Sequence, residues 1–96
     1  MKLLALEREV PGVEAVQFTG ELLHAEALAA WELQQAGVIR ELYFRADAHM
    51  AVLVLECADV AEAEAVLARL PLVGAGLIAF EVIPLAAYPG FARLFG

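Results

Sequence analysis

The chain has 96 residues, 62% of them hydrophobic, and six Lys+Arg against thirteen Asp+Glu give it a net charge of −7. That length allows one domain with a single core, and so apolar a composition excludes a disordered chain. The negative balance repels phosphate backbones and anionic headgroups, and the lack of serine, with a single cysteine, Cys57, excludes a serine nucleophile and an internal disulfide.

Met1 to Glu7 predicts a short strand, and Val10 to Phe18, with Pro11 and Gly12, a loop. Thr19 or Gly20 can cap a helix from Glu21 to Ala36 that Gly37 ends. Val38 to Arg45 has β-branched and aromatic content. Strict alternation sets Val38, Arg40, Leu42 and Phe44 against Ile39, Glu41, Tyr43 and Arg45. After a tight turn at Ala46–His49, Met50 to Leu55 is an unbroken apolar run, the pattern of a strand buried on both faces. Asp59 and Glu62 read as a capping box for a second helix carrying Val60, Ala63, Leu67 and Leu70, which Pro71 stops. Leu72 to Gly76 then reads as a linker, Gly76 to Leu85 as the last strand, and residues 86–96 as an apolar tail that docks on a neighbouring subunit or closes the cavity mouth.

The order β-α-β-β-α-β predicts an α+β, ferredoxin-like domain spanning residues 1–96, with a four-stranded antiparallel sheet and two helices on one face. The other face is apolar too, so the expected state is at least a homodimer with sheets packed face to face. No apolar stretch reaches signal-peptide or membrane-spanning length, because Glu7 and Glu81 interrupt the two candidates. A cytoplasmic protein that binds neither membrane nor nucleic acid is the expectation.

Between Glu26 and Pro89 the chain resembles muconolactone isomerases of the dimeric α+β barrel superfamily. The matching residues are Leu33-Gln34 followed by Gly37, then Arg40 and Leu42, Glu62-Ala63, Leu70-Pro71-Leu72, Glu81-Val82, Leu85 and Pro89. The family carries a Gly-His pair before the third strand, where this chain reads Asp47-Ala48-His49. Its linker Val73-Gly74-Ala75-Gly76 is smaller than the isomerases' aromatic one. The resemblance implies a dimer, often built into larger rings, and proton transfer at carbon in a small unsaturated lactone without metal or organic cofactor. It also places a glutamate at position 26.

Independently of that resemblance, Glu26 shares a helical stripe with Leu22, Ala29, Ala30 and Leu33. A carboxylate there points toward the sheet and, partly desolvated, becomes a stronger base; a carboxylate near a helix edge can also simply reach water. His49 opens a buried strand beside Asp47, and histidine is the side chain that exchanges protons near neutrality; the alternative is a solvated hairpin residue. His24 lies on the opposite helix face with Leu28, Trp31 and Gln35, a stripe suited to another subunit. Glu26 and His49 are thus the candidate catalytic residues, and Arg40, Tyr43 and Arg45 the candidates for binding substrate, with a salt-bridge role open to either arginine. Glu56 and Glu81 mark a cavity wall or partners for those arginines, and Cys57 reads as an inert packing thiol. Two histidines without a fixed partner do not make a metal site. The reading is a cofactor-free enzyme acting on a small, mostly apolar, anionic or carbonyl-bearing molecule, with an arginine fixing the charge. The alternatives are a non-catalytic ligand-binding or structural barrel of the same fold and a cofactor-free monooxygenase.

Overall fold

A computed structural model describes all 96 residues. The elements are β1 (Lys2–Glu9), α1 (Gly20–Gln35), β2 (Ile39–Phe44), β3 (Ala51–Glu56), α2 (Val60–Leu67), α3 (Pro71–Gly74) and β4 (Ile78–Pro84), with 3-10 turns at Ala15–Gln17 and Gly90–Leu94. The strands form one sheet in the order β2-β3-β1-β4, every neighbouring pair antiparallel. This is the α+β, ferredoxin-like arrangement that the order of elements implies.

Local chemistry sets the helix ends. Thr19 caps α1, its Oγ1 accepting the Leu22 N–H at 3.2 Å. At the other end Gly37 takes φ +79°, and the Gly37 and Val38 N–H groups bond back to the carbonyls of Gln34 and Leu33, both at 3.0 Å. Asp59 Oδ1 accepts the Glu62 N–H at 2.8 Å. The Glu62 carboxylate reaches the Ala58 N–H at 3.4 Å, one residue before the backbone group a full capping box would use.

Pro71 does more than stop a helix. It sits at the first position of α3, where its missing N–H costs nothing and its fixed φ suits a helical turn. The expected linker is therefore a helical turn, closed at Gly76 (φ +74°) by a Leu77 N–H to Leu72 carbonyl bond of 2.9 Å. Leu72, Leu77 and Ile78 form a small apolar cluster around that closure.

The main core lies between the sheet and the helices. Leu3 and Ala5 of β1, Leu53 and Leu55 of β3, and Ile39 of β2 meet Leu33 of α1, Ala63, Val66 and Leu67 of α2, and Leu70. Alternation sends Leu4, Leu6, Val52, Val54, Ala79 and Ile83 to the opposite face, where they are only half-buried. On that face Arg8 pairs with Glu81, and the Met1 ammonium meets Glu56 at 2.5 Å.

In β2 the simple alternation fails. Ile39 pairs with Leu55 and Leu42 with Leu53, so both face the helices, and the extra residue is taken up by an irregularity between Ile39 and Glu41. A β-bulge at Arg40 thus overturns the two-face assignment that spacing suggests for this strand.

Beyond β4 the Leu85 N–H still bonds the Lys2 carbonyl at 3.0 Å, and then the chain leaves the body. Tyr88 and Phe91 touch edge to face at 5.0 Å, but Tyr88, Phe91, Leu94 and Phe95 are 65–88% exposed. The tail stretches the molecule to 58 Å, against 28 and 23 Å in the other directions. No helix is long and apolar enough to cross a membrane.

Candidate functional site

A cavity of about 930 Å³ opens between α1 and the sheet, at the end where β1 and β2 stop and β3 and β4 begin. It is within the size range of small-molecule sites, and 20 of its 25 lining residues are hydrophobic. The space exists because α1 presents small side chains, Ala27 and Ala30, over this end of the sheet. Further along α1 the large Leu33 is buried and seals the core. Leu42, Leu53 and Phe80 line the sheet side and Leu72 the α3 side. Leu23, Trp31 and Phe44 also border it and remain exposed.

Glu26 enters this cavity from α1. Its stripe behaves as helical spacing predicts, with Leu33 buried and Leu22, Ala29 and Ala30 packed against the two clusters. Glu26 Oε1 accepts the Leu72 N–H at 2.9 Å. Leu72 is the second residue of α3, whose N-cap Leu70 has no side chain able to accept, so α1 supplies the cap that α3 lacks. Burial pushes the Glu26 carboxyl above its usual range; the Leu72 N–H opposes this, and the charge of Glu7 adds to it.

His49 lines the same cavity from the turn before β3, so the two candidate catalytic side chains share one space. Its ring stacks on Phe44 with centroids 4.4 Å apart. The candidate binding residues are not gathered there. Tyr43 borders the cavity, but its hydroxyl donates to Glu41 Oε1 at 2.8 Å, and that bond holds the phenol above its ordinary pKa. Arg45 forks onto Asp47 at 2.7 and 2.8 Å, which lowers the Asp47 carboxyl, and Arg40 donates to the Gly37 carbonyl at 2.6 Å. Neither arginine lines the cavity. His24 lies outside it as well, whereas Trp31, which shares its stripe, borders it.

Two carboxylates face this space that residue spacing did not single out, Glu7 and Glu9. They continue the Leu3–Ala5 face of β1, which runs on past the point where Glu7-Arg8-Glu9 reads as the end of a strand. Glu7 Oε1 accepts the Ala51 N–H at 2.9 Å, extending the pairing of β1 with β3 by one step. The strand's period of two was the signal that could have found them.

Glu81 and Glu56 are both on the open face; the first pairs with Arg8 and the second with the terminal ammonium, which lowers its carboxyl. Cys57 is buried, and burial raises its thiol, so it packs rather than reacts. No three His, Cys, Asp or Glu side chains are grouped to hold a metal ion.

Comparison with known proteins places this geometry in context. A family profile described as muconolactone delta-isomerase matches residues 4–90. No curated protein matches the sequence. Among solved structures, a muconolactone isomerase superposes with a TM-score of 0.71 at 24% identity, covering 93% of this chain and 92% of the other. The 5-chloro-2-hydroxyhydroquinone dehydrochlorinase TftG from Burkholderia phenoliruptrix AC1100, in complex with 2,5-dihydroxybenzoquinone, superposes with a TM-score of 0.70 at 18% identity, covering 94% and 98%. At such identities both structural likenesses speak for the fold alone.

Proposed function

Since the chain belongs to the muconolactone delta-isomerase family, we propose that it is a cofactor-free enzyme that moves a proton between carbons of a small unsaturated lactone or related carbonyl compound. The observation that carries this reading is Glu26, a half-buried carboxylate made more basic by burial and placed in a large apolar cavity. The two fold neighbours are named for activity on a lactone and on a hydroxyhydroquinone, which is consistent with a small oxygenated ring as the ligand class.

In this mechanism Oε1 stays on the Leu72 N–H, which fixes the carboxylate, and Oε2 takes a proton from the carbon next to the ring carbonyl. The electron pair left behind delocalises through the conjugated system as a dienolate. Glu26, half-buried and so able to exchange its acid proton with solvent between the two steps, then delivers a proton to the far carbon of that system, so the double bond shifts and the enzyme is regenerated. His49 donates a hydrogen bond to the carbonyl oxygen as charge builds on it. The apolar walls keep water from quenching the dienolate.

A second reading rests on the same hydrogen bond. If Glu26 only caps α3, the chain is a non-catalytic ligand-binding or structural barrel. Glu26→Gln separates the two, because a glutamine carbonyl still accepts the Leu72 N–H but cannot take a proton from carbon. With an unsaturated butenolide in D2O, followed by NMR, the catalytic reading expects deuterium uptake that falls at least about 100-fold in the variant. Uptake unchanged in a folded variant, or none in the wild type, would establish the structural reading.

We also propose that the working unit is a homodimer joined through the open sheet faces, with residues 86–96 docked on a neighbouring subunit. The apolar half-buried side chains of that face and the projecting tail support it.

A further inference from the structure

The cavity that holds Glu26 has a charge pattern that bears on what can enter it. Three of its lining side chains are carboxylates, Glu7, Glu9 and Glu26, while no lysine or arginine reaches it. Tyr43 and His49 are the other ionisable side chains facing it, so no lysine or arginine charge offsets the carboxylates.

Every cation of the chain is accounted for elsewhere. Arg8 is paired with Glu81 on the open face, and Lys2 lies opposite Glu56 in the sheet register. Arg45 is forked onto Asp47, and Arg40 is tied to the Gly37 carbonyl. Arg69 lines a separate hollow with Ala29 and Glu32, and Arg93 lies in the projecting tail.

A carboxylate buried among apolar walls needs a cation or several donors to replace its water. This cavity offers an anion the reverse: a low-dielectric lining and like charges. A neutral ring has no charge to desolvate on entering, and its carbonyl can accept a hydrogen bond from His49 while a ring hydroxyl can donate one to a glutamate. We propose that the ligand of this cavity is uncharged, a neutral lactone, enone or ester, and that the site excludes carboxylate-bearing lactones such as muconolactone itself. This inference rests on the proton-transfer reading for the site but concerns the substrate's charge rather than the chemistry.

The test compares a butenolide carrying a carboxymethyl group with its methyl ester, on the full-length protein at pH 7 and low salt. Calorimetry reads binding and deuterium uptake reads turnover. The acid is expected to bind at least about tenfold more weakly than the ester, the combined effect of nearby like charges and the lost hydration of its carboxylate. Glu9→Gln, which removes one of those charges at an exposed position, should narrow that gap. Equal or tighter binding of the acid overturns the proposal. So does tight binding of the acid that Arg93→Ala abolishes, since a neighbour's tail would then be supplying the missing cation. If the ester binds selectively but exchanges no deuterium, the charge inference stands and the proton-transfer reading falls; if both compounds exchange and bind alike, the reverse holds.

Discussion

Glu26 meets two demands at once, since one oxygen holds α3 in place while the carboxylate as a whole stays in a space that penalises its charge. The consequence for stability has a definite sign. The folded-state pKa is raised, so the charged form is the disfavoured one, and the fold loses stability as pH rises through that raised value. A glutamine at this position cannot ionise. Glu26→Gln should therefore equal or exceed the wild type in stability at pH 7, by less than about 1 kcal/mol given the solvent that screens a half-exposed group. The wild type should recover against the variant as pH falls toward the ordinary carboxylate range. Denaturant melts at pH 7 and pH 4 check this, and a variant strongly destabilised at pH 7 would contradict it. Position 26 was legible in the sequence because a helix's inward face repeats every three to four residues within one segment. Glu7 and Glu9 were harder to read. A run of three charged residues resembles the end of a strand, and only the pairing of Glu7 with Phe80 and Glu9 with Ile78 shows that the strand continues.

The boundaries of the elements rest on a few local devices, and two glycines of α1's ends allow a contrast. Gly37 occupies the left-handed region (φ +79°), where an added Cβ collides with its own backbone. Gly20 begins α1 at ordinary angles, and a Cβ there meets nothing within 4 Å. Gly37→Ala should cost about 1 kcal/mol or somewhat more, whereas Gly20→Ala should be neutral or stabilising by up to about 1 kcal/mol. Urea midpoints of the two variants decide it; equal effects would mean that the helix ends are not set as described. Within the core, Leu55→Ala removes a fully buried side chain between β3 and the helices and should cost about 2–5 kcal/mol. The β2 irregularity belongs to this scale as well. Val38 to Arg45 alternates cleanly as a sequence, and nothing local marks a bulge at Arg40. The bulge appears only in the pairing with β3, where Leu42 meets Leu53 and Ile39 meets Leu55.

For the whole molecule, the problem is apolar surface left uncovered. A compact chain of this length would have a radius of gyration of about 12.5 Å, and this one has 15.6 Å because the tail projects. Trp31 and Phe44 beside the cavity, the open sheet face, and Tyr88, Phe91 and Phe95 in the tail all reach solvent in the single chain. If each partner in a face-to-face pair buries about 800 Å², at about 25 cal/mol per Å² the gross gain is roughly 20 kcal/mol per partner before the cost of association. Sedimentation at micromolar concentration should show a dimer or a larger assembly. Val54→Asp, which puts a charge in the middle of the open face, should shift it toward monomer, and deletion of 86–96 should weaken it. A wild-type chain that sediments as a monomer would refute this account of the bare face.

What the sequence determined by itself is everything carried by short-range pattern. The element order, the caps at Thr19 and Asp59, the Gly37 stop and the inward stripe holding Glu26 each depend on residues a few positions apart. What only the tertiary structure decided is whatever depends on elements far apart in the chain. Pairing between β2 and β3 introduced the bulge that separates Ile39 from simple alternation. The approach of α3 to α1 turned Glu26 into a cap for the Leu72 N–H. Folding also joined Glu7, Glu9, Glu26 and His49 around one space while leaving Arg40 and Arg45 outside it. The physical reason is that hydrogen-bond geometry along the backbone is local, whereas a cavity's charge is the sum of side chains delivered by every element around it.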